Sequence, residues 1–558
     1  MAPTRFLTNK QPAGEQKLRG GYYTPVPLAR YLCHWAIRSR SDRILEPSCG
    51  DGNFVIPALE TLSALSAPGR PASAHIVAVE IDASELSKAR ARARSLPSRA
   101  ASVTWTANDF FAEYAALTSG PKFDVVLGNP PFIRFQYFNG RSREHAFAHL
   151  RALGYAPTKL ANAWSAFVQL SLALLRPGGR LAMVLPAELL QVGYASQLRD
   201  RLATAFSDIL LIAFERLVFP HIQQEVVLLL AEGKRPAGNA RCCIRTLQCV
   251  DGEDLFQRKL RRESVGHVPA KHSRNRMKWT ALFLSNECFD VLSQLGDDPR
   301  LARLGDLASV EVGIVTGRNS FFVLTKAQAA RLGLSGCLTP IIGRTSELRS
   351  IRYTETDYAR YQRSLPSLLL NTNGIAEDHL PGPLRDYIAQ GLAHGVNLGY
   401  KCRIRRRWFD VPSVYSPTAF MFRQIHTFPL IVVNDAGVTS TDTIHRVLVR
   451  DGIGARKLAA CALNSLTLAW AEVCGRSYGG GVLELEPNEA EDLPVPYTRA
   501  IALDVHKVDQ LLRRGRHIAA LDYVDAVTLR GHLGLSTTSA SLIRDAWEQL
   551  RDRRANRR

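Results

Sequence analysis

Residues 123–132 read Phe-Asp-Val-Val-Leu-Gly-Asn-Pro-Pro-Phe, a strand-sized apolar run that ends in two prolines. Because proline donates no backbone N–H and disfavours a helical residue before it, this pair fixes the shape of the loop after the strand. On either side, from about Asp42 to Lys234, short β-branched runs alternate with longer amphipathic segments. The alternation predicts βαβ units, and therefore an α/β fold with a mostly parallel sheet of seven strands.

The predicted strands are the apolar and β-branched runs Arg43–Glu46, His75–Ile81, Val103–Thr106, Asp124–Leu127, Arg180–Leu185, Ile209–Phe214 and Glu225–Ala231. The helices predicted between them are Asn53–Leu65, Ala83–Arg94, Ala161–Leu175 and Ala187–Phe206. The last two strands are compatible with a hairpin at one edge of the sheet. Beyond about residue 235 the pattern becomes irregular, and we predict that a second domain begins there.

The composition points to a polyanionic partner. The 558 residues carry a net charge of +20, from 71 Lys and Arg against 51 Asp and Glu, which favours nucleic acid or an anionic membrane as partner. No apolar run approaches the roughly 18–20 residues of a spanning helix, and residues 1–17 lack the apolar core of an export signal, so no membrane partner is expected. The ten cysteines form no CxxC pair, which predicts neither a metal site nor a disulfide framework and favours the reducing cytoplasm.

Polar residues follow the ends of the first three predicted strands. Glu46 precedes the turn Gly50-Asp-Gly52, and a carboxylate there suits an amino-bearing or cationic ligand better than a pyrophosphate. Glu80 ends the second strand, where doubly wound folds commonly hold ribose hydroxyls. After the third strand, Asp109 can accept a hydrogen bond from an adenine amino group, while Phe110 can pack on the ring.

The loop after the fourth strand carries the chemistry. An exocyclic amine on an aromatic base is a poor nucleophile, because its lone pair is delocalised into the ring. The side-chain oxygen of Asn129 and the carbonyl of Pro130 are two acceptors that can bind its N–H groups and favour a pyramidal nitrogen. Such a nitrogen can attack a methyl sulfonium in line without a metal, and Phe132 offers a face on which the base can stack.

Taken in order, these segments resemble the gamma-type, TaqI-like and Eco57I-like, S-adenosylmethionine-dependent DNA adenine methyltransferases of type II restriction-modification systems. The resemblance implies a Rossmann-like class I methyltransferase domain that holds S-adenosyl-L-methionine and flips the target adenine out of the duplex. The residues implied to bind the cofactor are Thr24, Glu46, Ser48, Gly50, Gly52, Glu80, Asp109, Phe110 and Asn129. The implied catalytic residues are Asn129, Pro130, Pro131 and Phe132, and the target base is expected to stack between Phe132 and Phe219.

The resemblance extends into the second half of the chain. Residues 304–322, 475–487 and 492–496 look like framework segments of the family's target-recognition domain, for which we expect a mixed α+β fold. The expected division is a catalytic domain at 1–235, a recognition domain at 236–500 and a helical extension at 501–558. A run of basic and aromatic side chains is expected to contact DNA: Arg403, Arg405, Arg406, Arg407 and Trp408.

Several alternatives stay open from the sequence. Methylation of cytosine at N4, of RNA or of protein glutamine would use a similar loop, and an inactive methyltransferase fold could serve only as a DNA-binding specificity protein. All four polar residues Glu46, Glu80, Asp109 and Asn129 are present, which favours an active enzyme. No nuclease motif is evident, so we expect a separately encoded restriction endonuclease to be the functional partner. The protein itself is expected to act on double-stranded DNA, as a monomer, in the cytoplasm.

Overall fold

The computed structural model of the protein describes residues 24–65, 73–96, 101–158, 162–216, 218–219, 225–236, 242–257, 267–269, 278–478 and 480–556. These residues fall into two compact units. The first contains the described part of 24–286, the short segment 477–481 and the residues from Arg553 onward. The second contains Glu287–Arg476 and Val482–Asp552.

A sheet of nine strands, counted over the described residues, forms the centre of the first unit. The strands are β1 (Arg43–Glu46), β2 (His75–Glu80), β3 (Ser102–Ala107), β4 (Phe123–Gly128), β5 (Leu175–Pro186), β6 (Asp208–Phe214), β7 (Val226–Glu232), β8 (Cys243–Cys249) and β9 (His267–Pro269). Their order across the sheet is β3-β2-β1-β4-β5-β7-β6-β8-β9. Strands β1 to β5 pair in parallel, β7 is antiparallel to β5 and β6, β8 is parallel to β6, and β9 is antiparallel to β8.

The helices of the first unit are α1 (Val26–Ala36), α2 (Val55–Leu65), α3 (Ala83–Arg94), α4 (Phe110–Ser119), α5 (Gly140–Ala152), α6 (Ala163–Leu174), α7 (Glu188–Gln191), α8 (Ser196–Ala205) and α9 (Gly252–Gln257). Three of them begin at a side-chain cap, because Asp82, Asp109 and Asn139 accept hydrogen bonds from backbone N–H groups of α3, α4 and α5. No helix among the described residues is long and apolar enough to cross a membrane.

The pairing and burial of the central strands determine which residues lie at the carboxyl edge of the sheet. Ile44 of β1 lies opposite Ile76 of β2 on one side and Val125 of β4 on the other, and all three side chains are fully buried in one hydrophobic cluster. A buried ion pair braces the start of β1, since Arg180 donates to both carboxylate oxygens of Asp42 at 3.1 and 3.0 Å. Because β1 to β4 run in one direction, their carboxyl ends meet at the same edge.

The predicted α/β class is confirmed, with differences in detail. The sheet has nine strands rather than seven, because β8 and β9 extend it beyond residue 235, and the compact unit continues to Asn286. The β6–β7 pair is antiparallel as expected for a hairpin, but β7 lies between β5 and β6 and not at an edge. The predicted helix Ala187–Phe206 is divided by a 3-10 turn at Gly193–Ala195.

The second unit is a mixed α+β structure, as predicted. Strands of the remaining chain are β10 (Ala302–Arg303), β11 (Ala308–Glu311), β12 (Val323–Leu324), β13 (Leu338–Ile342), β14 (Arg352–Tyr353), β15 (Leu368–Leu370), β16 (Ala419–Phe422), β17 (Gln424–Ile425), β18 (Ile431–Asn434), β19 (Thr439–Ser440), β20 (Ile444–Val449), β21 (Arg476–Tyr478), β22 (Val482–Glu484) and β23 (Pro494–Val495). The main sheet has the order β11-β20-β16-β18-β14, and a second sheet has the order β12-β15-β13-β19. Two predicted framework segments, 304–322 and 492–496, meet where the Leu304 N–H donates to the Leu493 carbonyl at 2.9 Å, next to the pairing of β10 with β23.

Helices of the remaining chain are α10 (Asn286–Leu295), α11 (Leu304–Leu307), α12 (Asn319–Phe322), α13 (Lys326–Arg331), α14 (Glu355–Tyr361), α15 (Gly382–Ala393), α16 (Tyr400–Arg403), α17 (Ala455–Cys461), α18 (Ser465–Cys474), α19 (Pro487–Glu491), α20 (Val505–Arg513), α21 (His517–Asp525) and α22 (Thr537–Ala555). Helix α18 is buried along its whole length. Helices α20 to α22 account for most of the predicted helical extension.

Candidate active site

Glu46, the last residue of β1, is a buried carboxylate with a side chain only 1 % exposed. Its Oε1 accepts a hydrogen bond from the Ser48 backbone N–H at 3.2 Å, whereas its Oε2 has no hydrogen-bond partner among the described residues. Gly128, at the end of β4, has a φ of +150°, and a Cβ at this position would overlap Glu46 Oε1. The missing side chain at position 128 therefore makes room for the carboxylate.

Hydrogen bonds join the loops that follow β1, β2 and β4. The Gly50 N–H donates to Glu80 Oε2 at 2.8 Å, and the Asp82 N–H donates to Glu80 Oε1 at 2.9 Å. The Ser48 hydroxyl donates to the Asn129 carbonyl oxygen at 3.4 Å. The structure therefore brings the predicted residues of these three loops together at one edge of the sheet.

Two further predicted cofactor residues have different surroundings. Gly52 has a φ of +91°, and a Cβ there would lie 3.1 Å from the Cβ of Ala89 on α3, so this glycine allows close packing of loop against helix. Thr24 is buried, and its Oγ1 has no hydrogen-bond partner among the described residues. Residues 21–23, which precede Thr24, lie outside the described residues.

The electrostatics of this edge favour a cationic ligand. Burial raises the pKa of Glu46 well above its ordinary value, and the nearby charge of Glu80 raises it further. Burial also raises the pKa of Glu80, although the hydrogen bonds from Asp82 and Gly50 oppose the shift. A ligand that carries an ammonium group and a sulfonium would relieve this repulsion and give Glu46 Oε2 a donor. The residues present therefore fit S-adenosyl-L-methionine.

The third strand contributes less than the sequence predicts. Asp109 accepts a hydrogen bond from the Phe111 N–H at 3.1 Å and so caps α4. Phe110 is 2 % exposed, and its ring stacks on Phe167 with 5.1 Å between centroids, so this ring belongs to the core and is not open to an adenine. Ile81 is instead exposed directly after Glu80, where it presents apolar surface at the same edge. An apolar residue after a strand-ending carboxylate is the signal that could have identified it.

The Asn129–Phe132 loop follows β4 as predicted. Pro130 is buried, whereas Asn129, Pro131 and Phe132 are half-buried. Phe132 packs against the hydrophobic cluster that also contains Phe219, so the two predicted stacking residues share one cluster. Phe219 is 6 % exposed, and its ring is covered in this structure.

A polar network holds the chain just beyond this loop. The Ala163 N–H donates to the Ile133 carbonyl at 3.0 Å, and Asn162 Oδ1 accepts from the Phe135 N–H at 3.2 Å. Asn162 Nδ2 donates in turn to Glu188 Oε2 at 3.0 Å, and the same oxygen accepts a hydrogen bond from the Tyr194 hydroxyl. Sequence reasoning missed this set, because an Asn before an apolar helical run is indistinguishable from an ordinary helix cap.

The residues predicted to contact DNA, all in the second unit, divide into two groups. Arg405 donates to the carbonyls of Val315 and Thr316 at 2.9 and 2.8 Å, and Arg407 forms an ion pair with Asp410. The ring of Trp408 packs against Phe321 and Phe322, with centroids 5.5 and 6.3 Å apart. Arg403 and Arg406 are exposed. Arg405, Arg407 and Trp408 therefore make contacts within the protein. Of the five predicted residues, Arg403 and Arg406 are the exposed ones.

The strand order β3-β2-β1-β4-β5-β7-β6, together with the carboxylate-lined edge, defines a Rossmann-like class I methyltransferase unit. Two family models match the chain. Residues 6–264 match the family described as N-6 DNA Methylase, and residues 276–529 match the C-terminal domain of the Type II methyltransferase M.Eco57I.

Relatives of known class match most of the chain. The Type II methyltransferase M.XamI of Xanthomonas campestris pv. amaranthicola is 23 % identical over 501 residues, which cover 87 % of this chain and 86 % of that protein. M.AccI of Acinetobacter calcoaceticus is 20 % identical over 489 residues, with coverage of 84 % and 83 %. The solved structure of the Type IIL restriction-modification enzyme MmeI in complex with DNA shares the fold, with a TM-score of 0.56, 12 % identity and coverage of 95 % of this chain and 75 % of that one.

The first part of the chain therefore matches the N-6 DNA methylase family, and the second part matches a C-terminal domain of the M.Eco57I kind. The protein is an adenine-specific DNA methyltransferase of the type II restriction-modification class, and S-adenosyl-L-methionine is its methyl donor. The predictions of fold class, enzyme class and cofactor are therefore confirmed.

Proposed function

We propose that the protein methylates N6 of an adenine that has left the stack of double-stranded DNA, with Asn129, Pro130, Pro131 and Phe132 holding the reacting base. The observation that carries this proposal is the convergence of Glu46, Glu80 and the Asn129 loop at one edge of the sheet. Glu46, Glu80, Ser48, Gly50 and Thr24 would hold the cofactor, which supplies an electrophilic methyl group on its sulfonium. The order of the motifs, cofactor residues first and recognition unit last, supports the gamma arrangement.

Asn129 and Pro130 act on the nucleophile. The side-chain oxygen of Asn129 and the carbonyl oxygen of Pro130 both accept hydrogen bonds, and the adenine amine has two N–H groups to donate. Binding both of them favours a pyramidal nitrogen with a directed lone pair, so the two acceptors contribute by position and electrostatics. The nitrogen becomes acidic only as it is alkylated, and for this reason no strongly basic side chain is required.

Access to the amine requires the base to leave the helix, because a stacked adenine cannot bring N6 to the carboxyl edge of the sheet. The half-buried Phe132 offers the first face for stacking. Phe219 lies in the same hydrophobic cluster and would become the second wall once the groups that cover it move. An Asn at position 129, where a Ser would favour cytosine, supports adenine over cytosine N4 as the target.

The biological role follows from the same reaction. Methylation of host DNA at the recognition sequence protects it from a separately encoded restriction endonuclease, which we propose as the functional partner. A single copy of the chain contains both the cofactor edge and the M.Eco57I-like domain, so we propose that it acts as a monomer. Its place is the cytoplasm, where the bacterial chromosome lies.

Single-turnover transfer from labelled S-adenosyl-L-methionine tests the reaction. Plasmid DNA, RNA and a protein extract are offered separately, and the labelled DNA is digested to nucleosides. We expect label in DNA as N6-methyladenine. Label in RNA or protein but not in DNA, or label recovered as N4-methylcytosine, would overturn the proposal.

A further inference from the structure

A short stretch of the second unit exposes an unusual concentration of large apolar side chains. Leu392, Leu398, Tyr400 and Ile404 are 55, 72, 65 and 60 % exposed. In the described part of this unit, Ile518 is the one other large apolar side chain exposed to a similar degree. Clustered exposure of this kind is typical of a binding surface, whereas single exposed apolar residues are ordinary.

Basic side chains alternate with these apolar ones. Lys401, Arg403 and Arg406 are exposed, and the Lys401 ammonium lies 5.8 Å from the centre of the Tyr400 ring. No Asp or Glu occurs in the sequence from Tyr387 to Phe409. We call the exposed Leu, Ile, Tyr, Lys and Arg residues of this stretch the 392–406 surface, namely Leu392, Leu398, Tyr400, Lys401, Arg403, Ile404 and Arg406. Its cationic side chains suit a polyanion, and its apolar side chains suit a partner that also has apolar surface.

Contacts with the segment 315–317 hold the backbone that carries these exposed side chains. The inward-facing Arg405 is bonded to the carbonyls of Val315 and Thr316, and Cys402 is buried. Gly317 has a φ of +86°, and a Cβ there would lie 3.1 Å from both Lys401 Cβ and Cys402 Sγ, so the two segments pack closely. The surface is therefore preformed, which lowers the conformational entropy lost on binding.

We propose that the 392–406 surface docks into a groove of duplex DNA, with Lys401, Arg403 and Arg406 on phosphates and Leu398, Tyr400 and Ile404 against sugars and base edges. This inference rests on the proposed function, because it assigns the part of the second unit that holds the substrate. Duplex DNA is the occupant that matches both features, since its phosphates pair with the cations while its groove walls accept apolar contacts. The basic contacts would make binding dependent on salt, and the apolar contacts would add affinity that salt does not remove.

Equilibrium binding of the full-length protein to a linear plasmid fragment that the wild type methylates, measured over a series of salt concentrations, tests the proposal. Tyr400→Ala with Ile404→Ala should weaken binding by about tenfold through the loss of apolar contact area, and should leave the salt slope unchanged. Lys401→Gln, Arg403→Gln and Arg406→Gln together should lower the magnitude of the slope of log affinity against log salt by about 0.9 for each phosphate that is no longer neutralised. The affinity for S-adenosyl-L-methionine should stay at the wild-type value in both variants.

Matched controls come from exposed residues of the same unit, namely Ile518→Ala for the apolar variant and Arg514→Gln for the basic one. Thermal unfolding confirms that each variant is folded, which surface positions should permit. If the wild type binds and methylates the fragment while both sets of variants behave like the controls, the 392–406 surface is not the docking site. If the wild type neither binds nor methylates any duplex, the proposed function fails and this inference fails with it.

Discussion

Glu46→Gln isolates the charge of the buried carboxylate at the end of β1. Glutamine has nearly the same shape, and its oxygen can keep the hydrogen bond that Ser48 N–H gives to Oε1 at 3.2 Å. The substitution removes the negative Oε2, which has no donor among the described residues and is therefore available to a ligand ammonium. A hydrogen bond to a charged group contributes about 1.5–3 kcal/mol, so the affinity for S-adenosyl-L-methionine should fall by about 10- to 150-fold.

The pH dependence gives this prediction a second readout. Because the pKa of Glu46 is raised in the folded protein, binding of a cationic ligand below that pKa requires loss of a proton, and wild-type affinity should increase as the pH rises through it. Without ligand, folding stability should fall as the pH rises above the ordinary value of 4.5, since the unfolded state then ionises while the folded state resists ionisation. Glu46→Gln should lack the part of both effects that Glu46 contributes and keep the part that the raised pKa of Glu80 contributes.

Calorimetric titration with S-adenosyl-L-methionine at a series of pH values measures the affinity, and urea unfolding at the same pH values measures the stability. Glu144→Gln, at an exposed position on α5, is the matched control and should behave as the wild type. If Glu46→Gln binds the cofactor as tightly as the control, with the same pH dependence, then Glu46 does not hold the ligand cation and the reasoning is refuted.

Three further substitutions test the supporting structure. Gly128→Ala places a Cβ against the buried carboxylate of Glu46 at a position with positive φ, so it should lower the free energy of unfolding by about 1–3 kcal/mol and weaken cofactor binding. Gly140→Ala, which has nothing within 4 Å of its new Cβ, is the control and should do neither. Equal urea midpoints for the two variants would contradict this prediction. Asn162→Ala should lower the single-turnover methylation rate by about tenfold or more while cofactor affinity is kept, because Asn162 positions the chain beyond the Asn129 loop; a loss of thermal stability without a rate effect would argue for a structural role alone. Asp42→Asn leaves the buried Arg180 charge without its ion pair and should cost about 3–5 kcal/mol in urea unfolding, and a loss below about 1 kcal/mol would show that the pair is not needed.

The α/β order of the first unit could be predicted because its strands are short apolar runs separated by recognisable turns. The first seven strands occur where the pattern predicts them, within a few residues. Strands β8 and β9 could not be predicted in the same way, because β8 mixes buried Ile244 and Cys249 with half-exposed polar residues. Its place is set by parallel pairing with β6, from Asp208 opposite Cys243 to Phe214 opposite Cys249. This is a tertiary contact that local periodicity does not encode.

The sequence predicts the site residues that are polar and stand at the carboxyl end of a predicted strand. Glu46, Glu80 and Asn129 meet as expected, because parallel strands bring their carboxyl ends together. The sequence places Phe110 at the adenine ring, but it could not reveal that Phe167 of α6 would cover this side chain.

In the second unit, the run from Arg403 to Trp408 reads as basic and aromatic apart from Ile404. The structure separates it, because alternate side chains turn inward to bond with carbonyls and Asp410. Spacing along a loop gives no rule for which side faces solvent, unlike spacing along a helix or strand. For the same reason, the sequence could not show that Leu398, Tyr400 and Ile404 are exposed rather than part of the core.

The central claim, that Asn129 directs methyl transfer to adenine N6, is tested most directly by the methylated nucleosides of DNA incubated with S-adenosyl-L-methionine and either wild type or Asn129→Ala. We predict N6-methyladenine with the wild type, and at least about a 100-fold lower rate with Asn129→Ala at unchanged cofactor affinity. N4-methylcytosine as the product, or an Asn129→Ala variant that forms N6-methyladenine at the wild-type rate, would contradict the claim.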